Sequence, residues 1–379
     1  MSRLVIRTSP QTHRTSPQTH RVSPKRRRVN SGQGFPRYNN YMDFLMSLPF
    51  ESVFGWSKLY RSGLCATIVH GDRGKIQEFL QTAVVQHLRQ LSVTNEGADV
   101  GANALVFTQA RFQTQDFQTQ DVAVKMFNTD TTGTSQSNDD VQLRAVYEAV
   151  MGVIVHALLQ HTSANVQTPK IYGYGHATLS LQNPDTDYVD TNGVTKCPVL
   201  VMSPLQGKHL RRLSEKKLER ALYQTAVCLK ELQQRFSFSH RDLHTGNIRF
   251  DPRTESIEIF DFGESCFSWD QPATAAFQFP QTDMYDSTCD DCSVVHTCSN
   301  RSFDMTVLVA SCLLNCPNLS EDGFLYNLAL EILIFYQQFD SETMDSSNFH
   351  KQYNHEMAKC IPAAFIRNYD QMRLPPLNF

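Results

Sequence analysis

Hydrophobic and polar residues follow different periods in different parts of the chain. Apolar and aromatic residues become dense near Tyr41, where the sequence continues MDFLMSLPFESVFGWSKLY. From about Val100 to Met126 the runs ALVFTQARF and VAVKMF have the alternation and the branched side chains that are typical of strands. The pentapeptide FQTQD occurs twice in succession at 112–121, between those runs. The repeat is therefore predicted to lengthen a hairpin between two strands.

Helical periodicity follows in the next part of the chain. The polar residues at 138–140 are predicted to cap a helix over VQLRAVYEAVMGVIVHALLQ. A strand is predicted for CPVLVM at 197–202, followed by the turn SPLQGK and by a helix from Ser214 to about Phe236.

The last third of the chain is predicted to be mainly helical. Two short strands, NIRF and IEIF, flank DPRTES, whose Asp, Pro and Ser are typical of a turn. Few strand patterns remain beyond Ser265, and helices are predicted near 303–316, 322–338 and 350–366.

The start of the chain has a different composition. Residues 1–42 contain nine Lys or Arg and no acidic residue, and the heptapeptide TSPQTHR occurs twice within them. Because this segment has too few apolar residues to offset the entropy of ordering, residues 1–40 are predicted to be a disordered arm. Its Ser-Pro steps at Ser9, Ser16 and Ser23 are candidate sites for proline-directed phosphorylation. The cluster KRRR at 25–28 indicates a nuclear-import signal that binds an import receptor, or else a merely solvated tail.

The remainder of the chain has the composition of a globular protein. The chain has 379 residues with 41 % hydrophobic and 19 % charged residues, which excludes a peptide module and suggests two domains or one large bilobal domain. Without the arm, 26 basic and 38 acidic residues leave a net charge of −12, so the folded body is not expected to bind nucleic acid directly.

Cysteine content and apolar runs bear on the compartment. Ten cysteines in a chain of this length are not a dense disulfide framework, and no apolar core of a signal peptide is present near Met1. The longest apolar runs, Ala149–Leu159 and Met305–Leu314, are too short to span a bilayer. We therefore expect no membrane segment and an intracellular protein, in the nucleus or the cytoplasm, with the nucleus favoured by the arm.

One pair of motifs carries candidate chemistry. The segment SHRDLHTGNIRF at 239–250 is followed by IEIFDFGES at 257–265. The predicted loop, strand, turn and strand bring Asp242, Asn247 and Asp261 to one end of a hairpin. Oxygen ligands of this kind suit Mg²⁺, which shares its coordination shell with water and substrate phosphates.

These motifs resemble those of the protein-kinase family, whose catalytic loop has the pattern HRDxxxxN and whose metal site has DFG. The resemblance covers roughly residues 97–320. It implies an α+β protein with a bilobal protein-kinase-like fold, in which 97–195 form a β-rich N-lobe and 196–379 an α-helical C-lobe. Residues 41–96 would be an N-terminal extension.

Further positions fit the same family. Lys125 in VAVK matches the lysine that holds the ATP phosphates, and Glu148 is the only carboxylate between Asp140 and Asp185 that could pair with it. Met202 lies where the family has the residue that gates the adenine pocket, and it precedes the connector Ser203–Gly207.

The resemblance also gives roles to residues outside the two motifs. Gly101 and Val106 fall in the loop and strand that would cover the nucleotide. Asp304 resembles the aspartate that braces the backbone of the catalytic loop.

Three departures separate this chain from the common protein kinases. Only Gly101 matches the glycine-rich loop, unless the frame shifts to begin at Gly97, and no APE triplet precedes Asp304. His244 replaces the usual lysine, and the resulting HRDLHxGN is similar to haspin-type kinases. The DLHxGN part also occurs in phosphotransferases that act on small molecules. Identical short repeats are compatible with a virus-encoded member of the family.

The resemblance implies an ATP-dependent serine/threonine-protein kinase that uses Mg²⁺ and acts on a protein substrate. In it Asp242 acts on the substrate hydroxyl, Lys125 and Glu148 hold the phosphates, and Asn247 and Asp261 hold the metal. A small-molecule phosphotransferase and a non-catalytic pseudokinase that binds partners are the alternatives, and Arg241 with DFG favours a protein substrate.

A second cluster contains Cys289, Cys292, His296 and Cys298 within ten positions. Zinc would need these residues in a tetrahedral arrangement, and their spacing is tighter than in the common zinc fingers. Free thiols in a polar loop are therefore expected, with a metal site as the alternative.

Overall fold

The computed structural model describes residues 41–70, 73–84, 88, 91–93, 98–100, 104–113, 119–127, 138–160, 162–180, 194–268, 276–278, 300–339 and 352–373. They form a mixed α+β unit, as the sequence predicts. The predicted arm at 1–40, Gly101 and the cluster from Cys289 to Cys298 lie outside the described residues.

Four helices open the described part of the chain and pack into the same core as the rest. They are α1 (Tyr41–Ser47), α2 (Phe50–Phe54), α3 (Lys58–His70) and α4 (Arg73–Gln81). Helix α2 ends at Gly55, which takes the left-handed conformation with φ 67°. The ring of Phe54 stacks on Trp56 at 4.0 Å and meets Tyr174 at 5.6 Å. The predicted extension is thus joined to the main body by aromatic packing.

An antiparallel sheet of six strands follows. It contains β1 (Leu91–Val93), β2 (Ala98–Val100), β3 (Ala104–Gln113), β4 (Thr119–Phe127), β6 (Ile171–Ser180) and β7 (Val194–Met202). The order is β1-β3-β4-β7-β6, and β2 also pairs with β3. Phe112 pairs with Gln120 and Gln113 with Thr119, so the repeated pentapeptide extends the β3–β4 pair as predicted.

Helix α5 (Asn138–Leu159) packs against β4, β6 and β7 of this sheet. It begins at Asn138, so the predicted capping residues at 138–140 form its first turn and do not precede it. The 19-residue stretch Val141–Leu159 is long and apolar enough to cross a membrane, longer than the apolar runs identified in the sequence. However, 78 % of its apolar window is buried inside the protein, which is the burial of a core helix.

A second sheet has four strands in the order β5-β10-β9-β8. They are β5 (Val166–Gln167), β8 (Lys208–His209), β9 (Ile248–Asp251) and β10 (Ser256–Ile259). The predicted lobe boundary between residues 195 and 196 falls inside β7, which lies between β4 and β6 in the first sheet. Strand β7 ends at Met202 and the next strand, β8, belongs to the second sheet, so the chain passes from one sheet to the other after Met202.

Four longer helices complete the described fold. They are α6 (Glu215–Phe236), α7 (Phe303–Asn315), α8 (Phe324–Phe339) and α9 (Pro362–Arg373). Short 3-10 turns lie at Leu210–Arg212, Thr245–Asn247 and Met357–Cys360. Helix α6 matches the prediction within one residue and ends where Ser237 turns left-handed with φ 43°.

Two predictions for the last third of the chain were wrong. The helix predicted over 350–366 is interrupted by the 3-10 turn at Met357–Cys360, because Pro362 cannot donate a backbone hydrogen bond and instead begins α9. A strand pair, β11 (Cys266–Ser268) with β12 (Ala276–Gln278), follows Ser265, where few strand patterns were found.

The described cysteines are mostly free. Six of them are buried free thiols, and Cys266 is disulfide-bonded. The free thiols are Cys65, Cys197, Cys228, Cys312, Cys316 and Cys360.

Candidate active site

Lys125 lies at the centre of the first sheet. In the strand register it is opposite Val106 on β3 and Leu200 on β7. Its neighbours Val124 and Met126 are buried on the other side of β4, as the alternation of a strand requires. The Lys125 side chain, which is 12 % exposed, consequently extends from the sheet toward α5.

Lys125 is shared by two carboxylates from distant parts of the chain. Its Nζ donates to Glu148 Oε1 at 2.9 Å and Oε2 at 2.8 Å, and to Asp261 Oδ1 at 2.9 Å. Glu148 comes from α5 and Asp261 from the segment after β10. The structure therefore brings together three residues that the sequence singled out separately, and it selects Glu148 as the partner of Lys125.

The charges of this group depend on one another. Burial lowers the pKa of the Lys125 ammonium, but the charges of Asp261 and Glu148 outweigh this and raise the pKa above its usual value. Burial raises the pKa of the Glu148 carboxyl to about 7, with the charge of Lys125 opposing the rise and that of Asp261 adding to it. The Asp261 carboxyl is held ionised, because Lys125 outweighs the effect of burial and lowers its pKa.

Asp261 adopts a backbone conformation that few residues tolerate. Its φ is 67°, in the left-handed region, where Asp and Asn are the commonest residues after glycine. The strand β10 ends two residues earlier at Ile259, and this turn directs the Asp261 carboxylate back toward Lys125. The side chain is 37 % exposed, so it can also reach a ligand.

Asp242 and Asn247 form a second group. Asn247 Nδ2 donates to the Asp242 carbonyl at 2.8 Å and to its Oδ2 at 3.1 Å. His244 accepts the backbone N–H of Gly246 on Nδ1 at 2.9 Å, which leaves its Nε2 as the protonated nitrogen when the ring is neutral. That Nε2 lies 3.8 Å from Asp242 Oδ1. The catalytic-loop motif thus places one N–H group beside the candidate base.

Hydrogen bonds to the backbone of Phe260 join the two groups. The N–H of Phe260 donates to the Asn247 carbonyl at 3.2 Å, and His240 Nε2 contacts the Phe260 carbonyl at 3.0 Å. Because Phe260 precedes Asp261, these bonds hold the Asp261 turn against the segment that carries Asp242 and Asn247.

Asp304, at the start of α7, accepts hydrogen bonds from residues 239–241, which directly precede Asp242. Its carboxylate accepts the backbone N–H of His240 at 2.9 Å, that of Arg241 at 2.8 Å and the hydroxyl of Ser239 at 3.2 Å. Asp304 is fully buried, and burial raises its pKa while His240 and these donors oppose the rise. The predicted contact between Asp304 and the catalytic-loop backbone is present. It stabilises Arg241 in a left-handed conformation with φ 67°.

The donor set fits a hard cation that also binds phosphate. Because Asn247 Nδ2 is used by Asp242, its Oδ1 is available as a ligand, and the ionised Asp261 supplies carboxylate oxygen. Across the described ranges there is no group of three or more His, Cys, Asp or Glu residues that could hold a metal ion alone. The Asn247 amide oxygen and the Asp261 carboxylate are oxygen donors of the kind that Mg²⁺ binds together with water and phosphate.

The connector residues predicted to contact a nucleotide lie between the two sheets. Half-buried Met202 ends β7, opposite Ala123, and the segment Ser203–Gly207 leads from β7 to β8. Val106 on β3 is half-buried opposite Lys125, which places this predicted position next to the group. Gly101 lies outside the described residues.

Two contacts at the site were not predicted from the sequence. The Tyr147 hydroxyl donates to the Ser265 carbonyl at 2.7 Å and ties α5 to the segment after Asp261. Glu258 on β10 accepts hydrogen bonds from the connector backbone. Neither residue was given a role by the family resemblance, and only the polar position within the otherwise apolar IEIF indicates that Glu258 has a partner.

The chain was compared with known proteins at two levels. A scan against protein-family models finds no match to this chain. A search of curated proteins finds no match either. The motifs and the geometry therefore carry the functional argument by themselves.

Proposed function

We propose that the chain is a protein kinase that transfers the γ-phosphoryl group of ATP to serine or threonine of a protein substrate. The carrying observation is the contact of Lys125 with both Glu148 and Asp261, beside the Asp242–Asn247 pair. In this proposal the first sheet and α5 form the N-lobe, and the chain after Met202 forms the C-lobe of a bilobal fold.

Each group has a part in the proposed reaction. Lys125, held by Glu148, binds the phosphates, while Asp242 accepts or orients the proton of the substrate hydroxyl. Asn247 and Asp261 would hold Mg²⁺, which neutralises developing charge on the phosphates. Phosphoryl transfer requires mainly positioning and electrostatic stabilisation of the transferred group. Charged side chains held in place by the sheet, the helix and the turns can supply both.

A small-molecule phosphotransferase is the second candidate. It is favoured by His244, which gives the DLHTGN sequence and whose Nε2 lies 3.8 Å from Asp242. Arg241 and the DFG at 261–263 favour the protein kinase. A pseudokinase that acts as a binding module is the third candidate, and the presence of every charged residue of the site argues against it.

The proposal extends to partners and location. The acidic body is proposed to act on protein and not to bind nucleic acid directly or enter a membrane. The basic arm is proposed to engage an import receptor, which would place the kinase in the nucleus, with the cytoplasm as the alternative.

The test is a transfer assay with the full chain. Purified protein is incubated with γ-labelled ATP and Mg²⁺, with a protein mixture in one series and with sugars and aminoglycosides in another. We expect label on serine or threonine, its loss with EDTA, and its loss in Asp242→Asn. Label only on small molecules would establish the second candidate. Nucleotide binding without magnesium dependence and without transfer to any acceptor would establish the third.

A further inference from the structure

The segment Ser203–Gly207, called the connector here, is held at both ends. At its start, the Ser203 N–H donates to the Lys170 carbonyl at 2.9 Å, and the Lys170 N–H donates to Ser203 Oγ at 2.9 Å. At its end, Glu258 accepts the Gln206 N–H at 3.0 Å and the Gly207 N–H at 2.7 Å. The connector is thus fixed by specific hydrogen bonds although it has no regular secondary structure.

Glu258 is an unusual residue for this task. It is 6 % exposed, and in the described part of the chain no lysine, arginine or histidine forms an ion pair with it. Arg249, its strand partner on β9, donates to the carbonyls of Gly246 and Ile248 instead. A buried carboxylate is costly unless hydrogen bonds replace its hydration, and here the connector N–H groups do so.

Gly207 brings the connector close to β9. A Cβ at this position would lie 2.7 Å from the Cβ of Arg249 and 2.8 Å from the backbone nitrogen of Phe250. Only glycine therefore allows the Gly207 N–H to approach Glu258 while β8 pairs with β9. This close approach and the Glu258 hydrogen bonds define one conformation of the connector.

The hydrogen bonds also decide which connector donors remain for a ligand. The N–H groups of Ser203, Gln206 and Gly207 are occupied, and Pro204 has none. Among the described residues the Leu205 N–H makes no hydrogen bond. Glu258 also lies on β10, the strand that leads to Asp261. One strand therefore positions both the connector and the Asp261 carboxylate that contacts Lys125.

We infer that Glu258 is a positioning residue for the nucleotide: it holds the connector so that a single backbone donor faces the base of an adenine nucleotide. This inference rests on the proposed function, because the family resemblance behind that function places Met202 at the adenine pocket and directly before the connector. The proposed function assigns the phosphates and the substrate hydroxyl to other residues and gives Glu258 no contact with them. Its loss should therefore weaken nucleotide binding and leave the transfer step nearly intact.

The first test is Glu258→Gln, which keeps the size of the side chain but presents an amide to two N–H donors. We expect KM for ATP and Kd for ADP to rise about tenfold, the effect of weakened hydrogen bonds to a charged acceptor, with kcat within about twofold of wild type. The matched control is Asp251→Asn, at the opposite end of the β9–β10 hairpin, where Asp251 bonds to Arg253. It should change neither constant.

A second variant covers the case in which Glu258→Gln fails to fold. Gly207→Ala leaves Glu258 in place but displaces the connector from β9, and it should give the same rise in KM and Kd. An unchanged Kd for ADP in the folded variants, or an equal fall in kcat and kcat/KM, would overturn the inference. Absence of transfer by the wild type would instead refute the proposed function, and ADP calorimetry would still decide the role of Glu258.

Discussion

Glu148→Gln separates the stability of the site from its activity. The substitution keeps the volume of the side chain and one oxygen that can accept from Lys125, and it leaves the second carboxylate, Asp261, 2.9 Å from Nζ. Removing one member of a buried ion pair is ordinarily destabilising because a charge remains unpaired. Here the ammonium keeps a partner, so the usual cost is not expected.

The pKa of Glu148 gives the magnitude. Burial raises this pKa from 4.5 to about 7, so ionising the carboxyl costs about 3 kcal/mol more in the folded protein than in the unfolded chain. Between those two values the folded state binds more protons than the unfolded state, and the free energy of unfolding therefore falls as the pH rises. Glutamine imitates the protonated side chain. Glu148→Gln should thus be within about 1 kcal/mol of wild type at pH 5 and about 1 to 3 kcal/mol more stable at pH 8.

Activity should change in the opposite direction. Lys125 would lose a charged acceptor worth about 1.5 to 3 kcal/mol, and phosphoryl transfer should fall about 10- to 100-fold. Urea unfolding at pH 5, 6, 7 and 8, beside a transfer assay, measures both effects. Glu231→Gln, on the exposed side of α6, is the matched control. Full activity in Glu148→Gln would refute the role of the pair, and a loss of several kcal/mol at pH 8 would refute the electrostatic argument.

Three further predictions follow from the same site. Asp242→Asn should retain Mg-ATP affinity while losing about 10²-fold or more of transfer. Asp261→Asn should also lose the magnesium-dependent part of that affinity. Thermal-shift titrations of ATP with and without Mg²⁺ distinguish the two variants, and identical behaviour would contradict their separate roles. Asp304→Asn should lower the free energy of unfolding by about 2 kcal/mol, because its amide cannot accept from all three donors, and an unchanged urea midpoint would count against this. Deleting residues 1–30 should abolish nuclear accumulation without changing transfer, and imaging of a tagged chain would contradict this if the nuclear intensity persisted.

The sequence predicted those parts of the site that lie on regular elements or in dense motifs. Lys125 lies on a strand that the alternation predicts, and Glu148 was indicated because no other carboxylate lies between Asp140 and Asp185. The strand pair β11–β12 was missed because three-residue strands carry too little periodicity to be recognised. The predicted boundary at 195/196 falls inside β7, and the pairing of β7 on both sides is a tertiary property that no local pattern reveals.

Two buried acids at the site have the same structural role, and the sequence indicated only one of them. Glu258 and Asp304 both accept hydrogen bonds from the backbone of an irregular segment. The family resemblance predicted this role for Asp304 at residues 239–241, whereas nothing predicted that Glu258 would bind the connector. A loop cannot satisfy its own N–H groups as a helix or strand does, so a buried carboxylate is an effective way to fix its conformation. The role of Glu258 follows no spacing rule, because its partner is distant backbone and not a side chain. The geometry of this site therefore depends in part on a residue that no family position marks, and substitution of Glu258 should alter ligand affinity while Lys125, Asp242, Asn247 and Asp261 remain intact.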